Sequence, residues 1–236
     1  MNAPLERLSL VIAGSRPWVY QAFQTWPGRN VHDVVFIAEP AGLTIERLAA
    51  SRPDYIFFVH WSWRIPADVY QPYECVGFHM TDLPFGRGGS PLQNLLVRGV
   101  SDTKLTAFRV GAELDAGPVF LKRPLSLAGR AQEVYERASA LAFEMIDEIV
   151  STRPEPVPQS GDAVCFARRT PAESRIPDTL SSPEALHTFI RMLDADGYPH
   201  AFIDHGSTRI EFSNATLDGD VVQATVRLTT IPNRPV

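Results

Sequence analysis

The sequence predicts an α/β fold: a Rossmann-like open, mostly parallel sheet flanked by helices, followed by a small C-terminal α+β module. Two observations carry this expectation. Short apolar runs alternate with helix-period stretches through the first part of the chain, the mark of strands joined by crossover helices. Then Arg153-Pro154-Glu155-Pro156-Val157-Pro158 interrupts the pattern. Prolines at alternate positions forbid helix and favour an extended tether. The expected organisation is a main domain over 1–152, a Pro-rich linker over 153–163 and a small domain over 164–236.

Each element has a local reason. Leu8 to Ala13 reads as a buried strand, and Gly14-Ser15 leads to a helix opening at Pro17. Asp33 to Ala38 gives a second strand and Thr44 to Ser51 a helix. Tyr55 to His60 is apolar on both faces, as suits a central parallel strand. Glu74 to Phe78 leads as a strand into His79, and Pro91 takes the favoured first position of a helix that Ser90 can cap. Lys104 to Leu114 and Val119 to Leu127 form two strands around a turn at Asp115. Ala131 to Val150 is the longest helix, with Val134, Ala138, Leu141, Met145 and Ile149 on one stripe. The tail holds a short strand near Cys165, a helix from Pro183 to Leu193, and strands near Ala201, Ile210 and Val221.

Composition narrows the function. A chain of 236 residues with 44% hydrophobic content can bury a full core. It has no run near the roughly 18 apolar residues that span a bilayer, so no membrane association is expected. Met1 to Arg7 carries Glu6 and lacks the basic-then-apolar order of a secretory signal, which favours a cytoplasmic protein. Cys75 and Cys165 read as reduced thiols. Six histidines and two cysteines show no ligand spacing, so no metal is expected. A net charge of −5 with a pI near 5.7 argues against a nucleic-acid partner held by phosphate contacts.

The most informative stretch runs from His79 to Pro118. His79 ends one expected strand and precedes Leu83-Pro84-Phe85-Gly86-Arg87-Gly88-Gly89-Ser90-Pro91; further on, Asp115 sits in Glu113-Leu114-Asp115-Ala116-Gly117-Pro118. A histidine and a carboxylate at strand ends read as one active site. The glycines of the loop let backbone approach a substrate. The loop lacks the Lys-Ser/Thr ending of a nucleotide-triphosphate cradle.

These motifs, in this order, resemble the folate-dependent formyltransferases, the family that includes methionyl-tRNA formyltransferase and the sugar N-formyltransferases. The resemblance implies the formyltransferase fold and 10-formyltetrahydrofolate as formyl donor. It implies His79 and Asp115 as catalytic residues: transfer to an amine passes through a tetrahedral oxyanion, which an imidazole can stabilise while a carboxylate orients it and helps take up the amine proton. The family's Asn-x-His is Gly77-Phe78-His79 here. The missing amide would supply an oxyanion donor worth about 3 kcal/mol, and Asn94 or Thr81 is the candidate replacement. Trp61-Ser62-Trp63-Arg64-Ile65-Pro66 follows the third strand, where open parallel sheets bind ligands; the resemblance makes it the cofactor loop, together with Asp115. Thr81, Arg87, Gly88 and Gly89 are the expected substrate contacts, with Arg87 meeting a substrate anion or bridging to an acidic neighbour.

Residues 168–212 look like the tail of sugar formyltransferases, through Arg168-Arg169-Thr170-Pro171, Ile190-Arg191 and Tyr198-Pro199, although Arg191 and Tyr198 could equally knit the tail in place. The stretch from His79 to Asn94 looks like bacterial proteins associated with amino-sugar or pseudaminic-type formylation. The expected acceptor is therefore the primary amine of an amino sugar, nucleotide-linked, and a homodimer is expected by analogy. A formyltetrahydrofolate hydrolase, a glycinamide ribonucleotide formylase and a non-catalytic folate- or sugar-binding module are the alternatives, the last supported by Gly77.

Overall fold

The computed structural model describes residues 6–231; residues 1–5 and 232–236, the ends of the expected first and last domains, lie outside the described residues. The contacts of the chain divide it into two compact units. One comprises residues up to Gly88, Thr103–Leu125 and Tyr135–Cys165; the other comprises Gly89–Asp102, Ser126–Val134 and the residues from Phe166 onward. The Pro-rich 153–163 segment lies in the first unit.

The first unit is built on a six-stranded sheet in the order β2-β1-β3-β4-β6-β7. Its strands are β1 (Ser9–Ala13), β2 (Asp33–Ile37), β3 (Tyr55–Phe58), β4 (Cys75–His79), β6 (Asp102–Arg109) and β7 (Val119–Ser126). β1 pairs in parallel with β2 and β3, β3 pairs in parallel with β4, and β6 runs antiparallel to β4. Apolar residues on both faces account for the central position of β1 and β3: Leu10, Ile12, Ile56 and Phe57 have no exposed surface. One face packs Val11, Ala13, Ile37, Ile56 and Phe58 around Leu48 of α2 (Ile45–Ser51), which Thr44 caps through the Arg47 N–H. α1 (Pro17–Thr25) and α5 (Ala131–Thr152) add Trp18 and Tyr135, whose rings stack at 5.2 Å.

A four-residue helix, α3 (Ala67–Tyr70), and a short strand, β5 (Phe85–Gly88), have no counterpart in the sequence reading. Both are too short to show a period. β5 lies in a glycine-rich stretch of low strand propensity and exists through its pairing with β8 (Val164–Phe166). β6 ends at Arg109, not Leu114, because the chain turns back there: the Arg109 N–H donates to Pro118 O at 2.8 Å.

In the second unit, β9 (Ala201–His205), β10 (Thr208–Asp218) and β11 (Val221–Thr230) form an antiparallel sheet beside α6 (Pro183–Arg191), capped by Ser182. α4 (Pro91–Val97) also belongs to this unit, and Gln93 donates to Met192 O at 2.9 Å. Arg191 donates to the carbonyls of Leu127 and Gly129, each at 2.8 Å, which ties α6 to the 126–134 stretch of its own unit. Among the described residues no helix is long and apolar enough to cross a membrane.

His60, just past β3, was not singled out by the sequence. Its φ is 47°, its Nδ1 accepts from Trp18 Nε1 at 2.6 Å, and its carbonyl accepts from the Ser15 hydroxyl at 2.9 Å. Burial, with a smaller push from Arg16, lowers its pKa to about 4. The folded protein therefore holds His60 neutral where the unfolded chain would protonate it, so stability is lost as pH falls from about 6.5 towards 4, by up to about 3 kcal/mol. Unfolding midpoints measured across this range should fall more steeply for the natural chain than for His60→Gln; equal slopes would remove His60 from the account.

Candidate active site

His79 closes β4 with its side chain almost fully buried. Nε2 lies 2.7 Å from Gly86 O, and Nδ1 lies 3.6 Å from Asp115 Oδ2. A carbonyl only accepts, so Nε2 carries a proton and donates it to Gly86. Nδ1 is then the nitrogen that faces the carboxylate. Two backbone features bring the Asp115 carboxylate there. Asp115 adopts a left-handed φ of 52°, and its Oδ2 accepts the Gly88 N–H at 2.8 Å. Gly117 lets the turn fold against β6: a Cβ at 117 would stand 1.7 Å from Arg109 O. Only glycine fits there.

Gly77 also has a physical reason. A Cβ at this buried β4 position would meet Phe108 Cζ at 2.8 Å and Cε1 at 2.9 Å. The ring of Phe108 occupies the space into which an asparagine at position 77 would project.

The residues expected to replace that asparagine are placed as follows. Asn94 lies in α4, where its Nδ2 is within hydrogen-bonding distance of the carbonyls of Gly89, Ser90 and Ala167 at 3.2, 3.0 and 3.1 Å, while Arg98 donates to its Oδ1. Both amide hydrogens are engaged by backbone. Thr81 has no exposed surface; its hydroxyl donates to Gly86 O at 3.5 Å, and its own carbonyl accepts from the Thr106 hydroxyl. That burial runs against the expectation of a substrate contact at Thr81. Ser90 does not cap α4 as expected: its φ is 51°, and its hydroxyl accepts the Arg169 N–H at 3.0 Å.

Arg87 bridges to a neutral residue, not to an acidic one: Nε and Nη2 both donate to Gln159 Oε1, at 3.1 and 2.7 Å. Gly88 has a φ of 106° and spends its N–H on Asp115. At Gly89 a Cβ would strike the Arg168 backbone at 2.6 Å. Gln159, which the sequence reading treated as linker, completes the arrangement; its Nε2 donates to Asp115 O and Gly117 O, each at 2.8 Å. The signal was hidden because the Pro-rich stretch read as a tether. In the structure Val157 forms an antiparallel bridge with Val119 through both backbone groups.

The 61–66 segment follows β3 and His60. Trp61 packs on Phe58 and meets Trp63 edge-on at 5.0 Å between centroids, and its Nε1 is enclosed without an acceptor. Trp63 and Arg64 are exposed, Ser62 and Ile65 half-buried, and Pro66 precedes α3. The site thus joins a positioned imidazole, a largely enclosed carboxylate and a glycine-rich backbone. Among the described residues no group of three or more His, Cys, Asp or Glu gathers to hold a metal. Cys75, buried in β4, has its thiol pushed up to about 12 by burial and is inert as a nucleophile.

Comparison with known proteins adds the family. Residues 171–229 match the C-terminal domain of methionyl-tRNA formyltransferase, where the sequence reading had likened 168–212 to sugar enzymes. The methionyl-tRNA formyltransferase of Trichlorobacter lovleyi is 27% identical over 198 residues, which cover 80% of this chain and 61% of that protein. The chain thus spans about three-fifths of the length of that relative. A sugar N-formyltransferase from a Shewanella species is 13% identical, with a TM-score of 0.68 over 86% of this chain and 96% of that one, and shares the fold alone. The solved structure of methionyl-tRNA formyltransferase from Clostridium thermocellum is 42% identical, with a TM-score of 0.91 over 94% of this chain and 99% of that one. At that identity and coverage the chain belongs to the formyltransferase family that includes methionyl-tRNA formyltransferase.

Proposed function

We propose that the protein transfers a formyl group from 10-formyltetrahydrofolate to a primary amine. The observation that carries this reading is the His79 ring set between the Asp115 carboxylate and Gly86 O. The amine attacks the formyl carbon and gives a tetrahedral oxyanion. His79 stabilises the oxyanion by turning its Nε2–H from Gly86 O to the developing charge, and Asp115 helps remove the amine proton. Collapse breaks the bond to N10, which takes up a proton, and leaves a formamide and tetrahydrofolate. The 61–66 segment is the proposed pterin contact: its tryptophans offer flat apolar surface, and the enclosed Trp61 N–H is available to a cofactor carbonyl. Gly88 and Gly89 bring backbone close to the acceptor, and Arg87 acts through its bond to Gln159. Asn94, with its amide engaged by three carbonyls, holds the start of α4 in this reading and does not bind the oxyanion.

An amino sugar is the acceptor we favour. A net charge of −5 offers no general attraction to a polyanion. A second reading, methionyl-tRNA, is favoured by the names that the relatives carry. Incubating the protein with 10-formyltetrahydrofolate and each acceptor class, and weighing the products, separates them. Formylation of an amino sugar supports the first reading, formylation of the tRNA alone replaces it with the second, and tetrahydrofolate release without any amine points to a hydrolase.

Three substitutions test the mechanism. His79→Asn and Asp115→Asn should each lower the transfer rate by about two to four orders of magnitude while the fold persists, since an asparagine at 115 still accepts the Gly88 N–H. Activity within threefold of the natural chain would remove that residue from the chemistry. Asn94→Ala should lower the melting temperature by a few degrees and change turnover by less than about tenfold. A loss of a hundredfold or more at unchanged melting temperature would return Asn94 to the oxyanion.

A further inference from the structure

We propose that Gln159 is a positioning residue: through it the Pro-rich segment after α5 fixes where the Asp115 carboxylate stands. The catalytic part of this inference rests on the formyl-transfer reading above; the positional part does not. Gln159 Nε2 reaches both flanks of the left-handed turn, Asp115 O and Gly117 O, at 2.8 Å each. Its Oε1 accepts two N–H groups of Arg87, and the next residue, Gly88, donates to Asp115 Oδ2. The bonds close a ring from the Asp115 carboxylate through Gly88, the Arg87 guanidinium and Gln159 back to the Asp115 carbonyl.

The residue type matters. Glutamine alone among side chains of this length has two N–H donors on one atom and an acceptor beside it, and here every one is used. A glutamate would keep the acceptor for Arg87 but set lone pairs against two carbonyls. The anchor is itself stiff: Pro158 precedes Gln159, and Val157 is bridged to Val119 by hydrogen bonds of 2.7 and 2.9 Å. Asp115 is not glycine, so its φ of 52° persists only while its surroundings hold it. A segment that reads as a passive tether therefore sets the direction of the carboxylate facing His79.

Two measurements on Gln159→Glu and Gln159→Ala test this. The first uses amide hydrogen exchange by NMR on the full chain without ligand and needs no activity. Exchange of the Gly88 amide, which is bonded to the Asp115 carboxylate, should quicken about tenfold or more in both variants, with the β4 amides unchanged. Unaltered protection at Gly88 would overturn the positioning. The second measures transfer to the acceptor found above. Gln159→Glu should lower kcat by about ten- to a hundredfold, with KM for 10-formyltetrahydrofolate within about twofold and a melting temperature within a few degrees. Combining Gln159→Ala with Arg87→Met should cost no more than the worse single change, because both open the same ring. Full kcat in both single variants, or kcat falling only in step with melting temperature, would overturn the catalytic part. If the natural chain transfers formyl to no amine, the functional reading falls, and the Gly88 exchange still decides whether Gln159 holds Asp115.

Discussion

A nearly buried carboxylate must be given donors, and the arrangement around Asp115 follows from that requirement. Its side chain is 12% exposed, too enclosed for water alone to solvate it. Gly88 supplies a charge-assisted backbone bond, a contact of a kind that contributes about 1.5–3 kcal/mol, and His79 Nδ1 stands 3.6 Å from the same carboxylate oxygen. The loop and turn geometry serve the same end. Asp115 reaches inward from a left-handed turn that Gly117 allows to lie against Arg109, and Gly88 turns its N–H inward at a φ of 106°.

The sheet supplies the rest of the precision. β4 and β6 run antiparallel, pairing His79 with Thr106 and Gly77 with Phe108. His79 therefore leaves a strand whose residues are all buried, and its ring direction is set by packing before the loop adds the Gly86 carbonyl. Rigid strands position a side chain more exactly than loops do, and here the loop bends to the strand. Arg109 strengthens the same corner through a bidentate pair with Glu74 at 2.7 Å, which raises the Arg109 pKa. The pair is partly exposed, so its main effect is to hold the end of β6 where the Asp115 turn begins.

Much of the fold was legible because burial and periodicity coincide. Val11, Ile56 and Phe57 are apolar for the reason that they are central, and α5 shows its stripe at Val134, Ala138, Met145 and Ile149, all buried. His79 was legible because it ends such a run, β4, whereas Asp115 lies in the turn beyond β6, which stops at Arg109. Other features were hidden for physical reasons. β5 has almost no strand propensity and depends on a partner strand about 80 residues later in sequence. Ser90 reads as a cap, but its backbone is left-handed and its hydroxyl is claimed by Arg169. Gln159 sits beside prolines that do exclude helix; whether such a stretch swings free or lies along the sheet is decided by Val119, far away in sequence. Gly77 was read as a loss, whereas Phe108 shows what stands in that space.

The proposed mechanism requires that His79 and the Asp115 carboxylate face a bound folate together. A crystal structure of the protein with tetrahydrofolate tests it most directly. The account predicts the pterin beside Trp61 and Trp63, with N10 lying against the His79 ring and the Asp115 carboxylate. A folate bound elsewhere on the chain, or a bound state in which Asp115 has swung away from His79, would contradict it.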